Sequence, residues 1–163
     1  MIQAHGGGNN TDTSFTATED KAIDLGILGG AQLRSNWSSP NSSLASEPFV
    51  SSAVNGGILV VPIFAASGGV LSAVRVKYQG DGASGGVKLR LYKRLESGTT
   101  TSMTQFGSTQ TMLSASTVST TYTLASPQTI DADTCYYAEI ESVVTGGTVT
   151  LYGAQAIFTS RKL

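Results

Sequence analysis

Enzymatic chemistry at neutral pH needs side chains that exchange protons, attack an electrophile or hold a metal, and this sequence carries few of them. It has one histidine, His5, set beside glycines near the start of the chain, and one cysteine, Cys135. A lone cysteine makes no internal disulfide, and without a CxxC pair there is no zinc or redox spacing. Two motif matches fall between residues 80 and 86. Gly80-Asp81-Gly82-Ala83-Ser84-Gly85 satisfies GxGxxG, and Gly82-Ala83-Ser84-Gly85-Gly86 satisfies GxSxG. The first works where a strand meets a helix whose amides face a pyrophosphate; the second needs a strand-turn-helix elbow and a histidine to take the serine proton. A strand pattern follows here, so both read as a hairpin turn. Paired carboxylates remain: Asp131 with Asp133 as oxygen ligands for calcium, and Glu139 with Glu141 as acids for glycoside hydrolysis. Two glutamates two apart on a strand share one face, opposite Tyr136, Ala138 and Ile140, as on a solvated sheet face. Asp131 and Asp133 precede a strand, where aspartates bond their own turn. The expectation is no enzyme, no cofactor and no metal site.

The elements that would position any site are strands. The chain has 163 residues, a size that suits a single domain. Lys and Arg number 10 against 11 Asp and Glu, a net charge of −1 that disfavours a nucleic-acid partner held by many phosphate contacts. No stretch approaches the ~20 apolar residues of a membrane helix, and the N-terminus lacks the basic and apolar regions of a signal peptide. No membrane and no export by its own signal are therefore expected.

From residue 58 the hydropathy alternates with period two. Val74, Val76 and Tyr78 interleave with Arg75 and Lys77, and Val87, Leu89 and Leu91 with Lys88, Arg90 and Tyr92. Further strands fit 104–112, 120–125, 135–143 and 148–159. Seven or eight strands without a convincing helix predict an all-β chain, an antiparallel two-sheet sandwich, jelly-roll-like, over 58–163. Val74, Val76, Leu89, Leu91, Ile140 and Leu151 should lie inside. The loop 80–86 is glycine-dense, as suits the positive φ values of a hairpin.

Residues 1–57 read as an extended N-terminal arm, poor in apolar groups and rich in Gly, Ser, Asn and Thr. Its apolar members, Ile2, Phe15, Ile23, Leu25, Ile27, Leu28 and Trp37, are the expected contacts to a partner; Trp37 reads as an anchor that docks the arm on a body. Residues 23, 25 and 27 alternate as a strand would, despite a capping-box pattern at 16–19. Charge is uneven: residues 75–94 carry six bases against Asp81, whereas residues 131–141 carry four acids and no base. If 75–94 is a hairpin, Arg75, Lys77, Lys88 and Arg90 form one basic face, able to meet the acidic strand of a neighbour.

The stretches 69–78, 87–94, 130–140 and 151–158, with the paired Tyr136-Tyr137 strand followed by a glycine turn and a closing strand, resemble the small β-sandwich modules of tailed-bacteriophage virion proteins. These are capsid decorations, head fibres and tail-fibre tips. The resemblance implies a non-enzymatic structural protein located in the virion, a homo-oligomer, read as a trimer, bound to other virion proteins through its arm. It carries no catalytic residues. The alternative is a tail-fibre or receptor-binding tip that binds host-surface glycans, with Trp37, Tyr92, Tyr136 or Tyr152 stacking on sugar rings.

Overall fold

The computed structural model describes residues 20–24, 33–35, 37, 50–65, 67–97, 99 and 102–159. Ten strands run in chain order: β1 (Asp20–Asp24), β2 (Leu33–Ser35), β3 (Val50–Ser52), β4 (Ile58–Ile63), β5 (Val70–Gln79), β6 (Gly86–Leu95), β7 (Thr104–Leu113), β8 (Val118–Thr129), β9 (Thr134–Val143) and β10 (Val149–Thr159). They form two five-stranded sheets. The first has the order β1-β10-β5-β8, with β3 also pairing β10; the second is β2-β4-β9-β6-β7. Every pairing is antiparallel. From β4 onward, consecutive strands lie in opposite sheets except β6 and β7, which makes the sandwich jelly-roll-like, as the alternation predicted.

The inward residues are those the period-two pattern selects. Val74, Val76, Leu89, Leu91, Ile140 and Leu151 are fully buried, and they meet across the gap between the sheets. Full burial of each such side chain is worth roughly 1.5–3 kcal/mol, so this interface dominates the stability of the fold.

Three expectations need correction. The first is the hairpin at 80–86. β5 pairs β10 and β8, whereas β6 pairs β9 and β7, so the loop crosses from one sheet to the other. Gly80, Gly85 and Gly86 serve close approach rather than positive φ, which among the described residues occurs at Gly56, Gly68 and Gly107. A Cβ on Gly80 would collide with the Gly85 carbonyl oxygen, and one on Gly86 with that of Met112. The loop is fastened by Asp81, whose Oδ2 accepts from the N–H groups of Thr145 (2.6 Å), Gly146 and Gly147 (both 2.8 Å). The Gly147 amide leads these donors in holding the carboxyl down at about 2.

The second is the boundary at 57/58. β1, β2 and β3 belong to the two sheets, so these parts of residues 1–57 are built into the sandwich. An edge strand completes the hydrogen bonding of β10 or β4 without contributing many apolar groups, which is why composition reads it as an arm. The third concerns Trp37. It is only 6% exposed, packs in the core and donates from Nε1 to the Gly57 carbonyl at 2.9 Å. It is an anchor, as expected, but one consumed within its own chain and closed to a partner.

Candidate binding cleft

An open cleft of about 600 Å³ lies where the end of β4, the connection between β8 and β9, and the start of β9 converge. Its walls are set by strand register. β4 alternates so that Leu59, Val61 and Ile63 point inward. Phe64, one residue past the strand, is 74% exposed, the most exposed large apolar side chain among the described residues. Pro62 pairs with Tyr137 and Ile63 with Tyr136, which places the tyrosine strand beside the phenylalanine.

The two tyrosines have different duties. Tyr136 points inward, is buried, and meets the Phe106 ring edge-on at 5.9 Å. Its hydroxyl accepts from the Asp131 N–H (3.2 Å) and lies within hydrogen-bonding reach of the Thr129 carbonyl (3.1 Å) and Asp131 Oδ2 (3.2 Å). Burial, more than any other influence, raises its pKa. Tyr136 thus fixes the loop that forms the cleft floor and is unavailable for stacking. Tyr137 points outward, half-buried, with Tyr92 as its register partner on β6. Burial also leads the upward shift of the Tyr137 phenol, followed by its hydrogen bond with the Cys135 side chain.

Among the described residues, Asp131 is the one carboxylate in the lining, together with Ser67, Thr134 and the Cys135 thiol, and no lysine or arginine lines it. The described residues include no group of three or more His, Cys, Asp or Glu suited to a metal ion. The cleft therefore offers an exposed aromatic face, an apolar wall and a few hydrogen-bonding groups, the composition of a site that binds and orients a small ligand.

The expected basic face is divided. Lys88 and Arg90 lie on the outer face of the second sheet, and Arg75 and Lys77 on that of the first, because the chain changes sheet between them. The acidic strand that Lys88 and Arg90 meet is β9 of the same chain. Lys88 Nζ lies 3.0 Å from Glu141 Oε1, and Arg90 bridges Glu139 Oε1 and Glu141 Oε2, each at 2.6 Å. The two glutamates share one face as predicted, yet they are ion-paired and so poorly placed to act as free acids. On the opposite face of the sandwich, Tyr152 lies under the Lys77 ammonium, 5.4 Å from its ring centre. Ile23 falls in β1, its backbone paired with Ala156; Ile2, Phe15, Leu25, Ile27 and Leu28 lie outside the described residues.

Phe64 and Tyr137 escaped the sequence reading as site residues. The signal for Phe64 was present: after inward Leu59, Val61 and Ile63, the alternation turns residue 64 outward.

No protein-family model matches the sequence, and no curated protein matches it. Among solved structures, the chain is similar to a xylan-binding module, CBM15, with a TM-score of 0.54, 15% identity, and coverage of 88% of this chain and 99% of that one. It is also similar to CsCBM6-3 from Clostridium stercorarium in complex with cellobiose, with a TM-score of 0.48, 13% identity, and coverage of 83% and 92%. A third is the C-terminal CBM6 of a marine laminarinase from Zobellia galactanivorans, with a TM-score of 0.47, 16% identity, and coverage of 86% and 99%. The first likeness shows a shared sandwich fold.

Proposed function

We propose that this chain is a non-catalytic, glycan-binding β-sandwich whose sugar site is the cleft at Phe64 and Tyr137. The observation that carries the reading is Phe64, an aromatic ring left 74% exposed at the mouth of an open cleft instead of in the core. An exposed ring has no folding role to justify it, and it gives a flat apolar surface for the C–H face of a sugar. Asp131 and Tyr137 supply an acceptor and a donor for hydroxyl groups. With one carboxylate and no cation in the lining among the described residues, the site suits a neutral sugar. The fold shared with a xylan-binding module supports the same class of ligand.

Binding of neutral oligosaccharides on a glycan array, followed by titration of the best ligand, tests the proposal. Phe64→Ala should weaken affinity about 5- to 30-fold, the equivalent of roughly 1–2 kcal/mol, with an unchanged far-ultraviolet spectrum. Wild-type affinity in that variant, or no neutral glycan bound, overturns it.

The virion setting is a further proposal and rests on the strand cadence of 69–78, 87–94, 130–140 and 151–158. In a tail-fibre or receptor-binding tip, assembled as a trimer, the cleft would meet host glycans. In a capsid decoration or head fibre, attachment would fall to segments other than β1, β2, β3 and Trp37, which the sandwich already uses.

A further inference from the structure

We infer that the cleft is one end of a longer site, and that its ligand is a linear, β-1,4-linked neutral glycan of about four rings laid across the strands of the second sheet. The inference rests on the glycan-binding reading of the cleft and adds the linkage and the length of the chain.

Strand register builds the extension. Pro62 on β4 pairs with Tyr137 on β9, Tyr137 with Tyr92 on β6, and Tyr92 with Gln105 on β7. Their chain neighbours Ile63, Ala138, Leu91 and Phe106 point into the core or pack against it, so alternation turns all four members of the row to the outer face. Pro62 and Tyr137 also line the cleft. The row therefore begins inside the cleft and leads away from it over two further strands.

Spacing selects the linkage. Adjacent strands lie about 4.8 Å apart, which gives the row a span of roughly 14 Å. The rings of a β-1,4-linked chain follow one another at close to that spacing and keep the chain extended, so one ring falls over each strand. An α-1,4-linked chain coils away from so straight a row.

The chemistry of the row fits the same ligand. Tyr137 and Tyr92 are half-buried, and each offers ring surface for the C–H face of a sugar and a phenol for its hydroxyl groups. Gln105 is exposed, and its Nε2 donates to Thr109 Oγ1 at 3.1 Å, which steadies an amide able to meet a hydroxyl. The residues to either side are charged but paired: Arg90 with Glu139 and Glu141, and Arg94 with Glu96. These pairs answer one another's charge, and they bound a lane one residue wide that suits a chain without branches.

The test is calorimetric titration of the full chain with cellobiose, cellotetraose, cellohexaose and maltotetraose. Cellotetraose should bind about tenfold or more tightly than cellobiose and than maltotetraose, with cellohexaose within about threefold of cellotetraose. Tyr92→Ala should cut the advantage of cellotetraose over cellobiose to under about threefold with an unchanged far-ultraviolet spectrum, and Tyr92→Phe should retain it. Equal binding of cellobiose and cellotetraose, equal binding of maltotetraose, or an unaffected Tyr92→Ala variant overturns the extension; if Phe64→Ala still weakens both cello-oligosaccharides, the cleft reading survives that result. A further gain of about tenfold with cellohexaose overturns the length. Weakened cellotetraose binding in Tyr92→Ala alongside wild-type binding in Phe64→Ala keeps the row and removes Phe64 from the site. No binding of cellotetraose overturns the inference outright, whereas the cleft reading falls only when no neutral glycan on the array binds.

Discussion

Replacing Arg90 with Met should cost stability at neutral pH and much less in acid. Arg90 spans two carboxylates that lie on one face, with 2.6 Å contacts to Glu139 and to Glu141. The side chains are 22%, 17% and 16% exposed, so the cluster is neither a solvated surface pair nor a sealed interior one. Surface pairs contribute about 0–1 kcal/mol, and breaking a fully buried pair costs about 3–5 kcal/mol. Two short contacts at this intermediate burial put the loss at roughly 2–3 kcal/mol near pH 7, with Met preserving the packing of the arginine stem. The pH dependence follows from Glu141. Burial pushes its pKa up, but hydrogen bonds from Lys88 and Arg90 outweigh burial and hold it below the ordinary carboxylate value. A depressed carboxyl stabilises the fold above its unfolded pKa, and that contribution disappears as pH falls through the folded value. In the variant, Glu141 loses its arginine and takes up a proton more readily, which relieves its repulsion with Glu139. The gap between wild type and variant should therefore narrow from pH 7 to an acid pH below the folded value of Glu141. Urea titrations read by Trp37, the sole tryptophan, measure it. An equal gap at both pH values, or one below about 0.5 kcal/mol at pH 7, would show the cluster to be energetically idle.

Two further substitutions test the packing. Leu89→Asp should unfold the chain, since losing a fully buried leucine costs about 2–5 kcal/mol before the unpaired carboxylate is counted. Lys88→Asp, on the outward face, should remain folded with a loss of about 1–2 kcal/mol, because it leaves Glu141 one cation short and adds a like charge; far-ultraviolet circular dichroism and urea midpoints compare the two. Trp37→Ala should cost about 3–5 kcal/mol through the emptied core position, the Gly57 carbonyl keeping the Ser142 N–H as a donor. A loss under about 1 kcal/mol in a denaturant titration would detach this segment from the core.

Alternation by itself determined which side of each strand faces the core: Val74, Val76, Leu89, Leu91, Ile140 and Leu151 are inside because a strand's side chains point to opposite faces in turn. The same rule put Glu139 and Glu141 on one face. It could not say which sheet a strand joins, since β5 and β6 show the same pattern whether they lie side by side or face each other across the core. Tertiary structure decided that β5 and β6 face each other, and with it the placing of the four basic residues: Lys88 and Arg90 beside the glutamates of β9, Arg75 and Lys77 on the outer face of the other sheet. Edge strands were likewise hidden in the sequence. β1, β2 and β3 are three to five residues long and owe their pairing to β10 and β4, so little of their own composition marks them. The cleft is the extreme case. Phe64 and Asp131 lie 67 positions apart in the chain, and only the pairing of β4 with β9 brings their neighbourhoods together to make one surface.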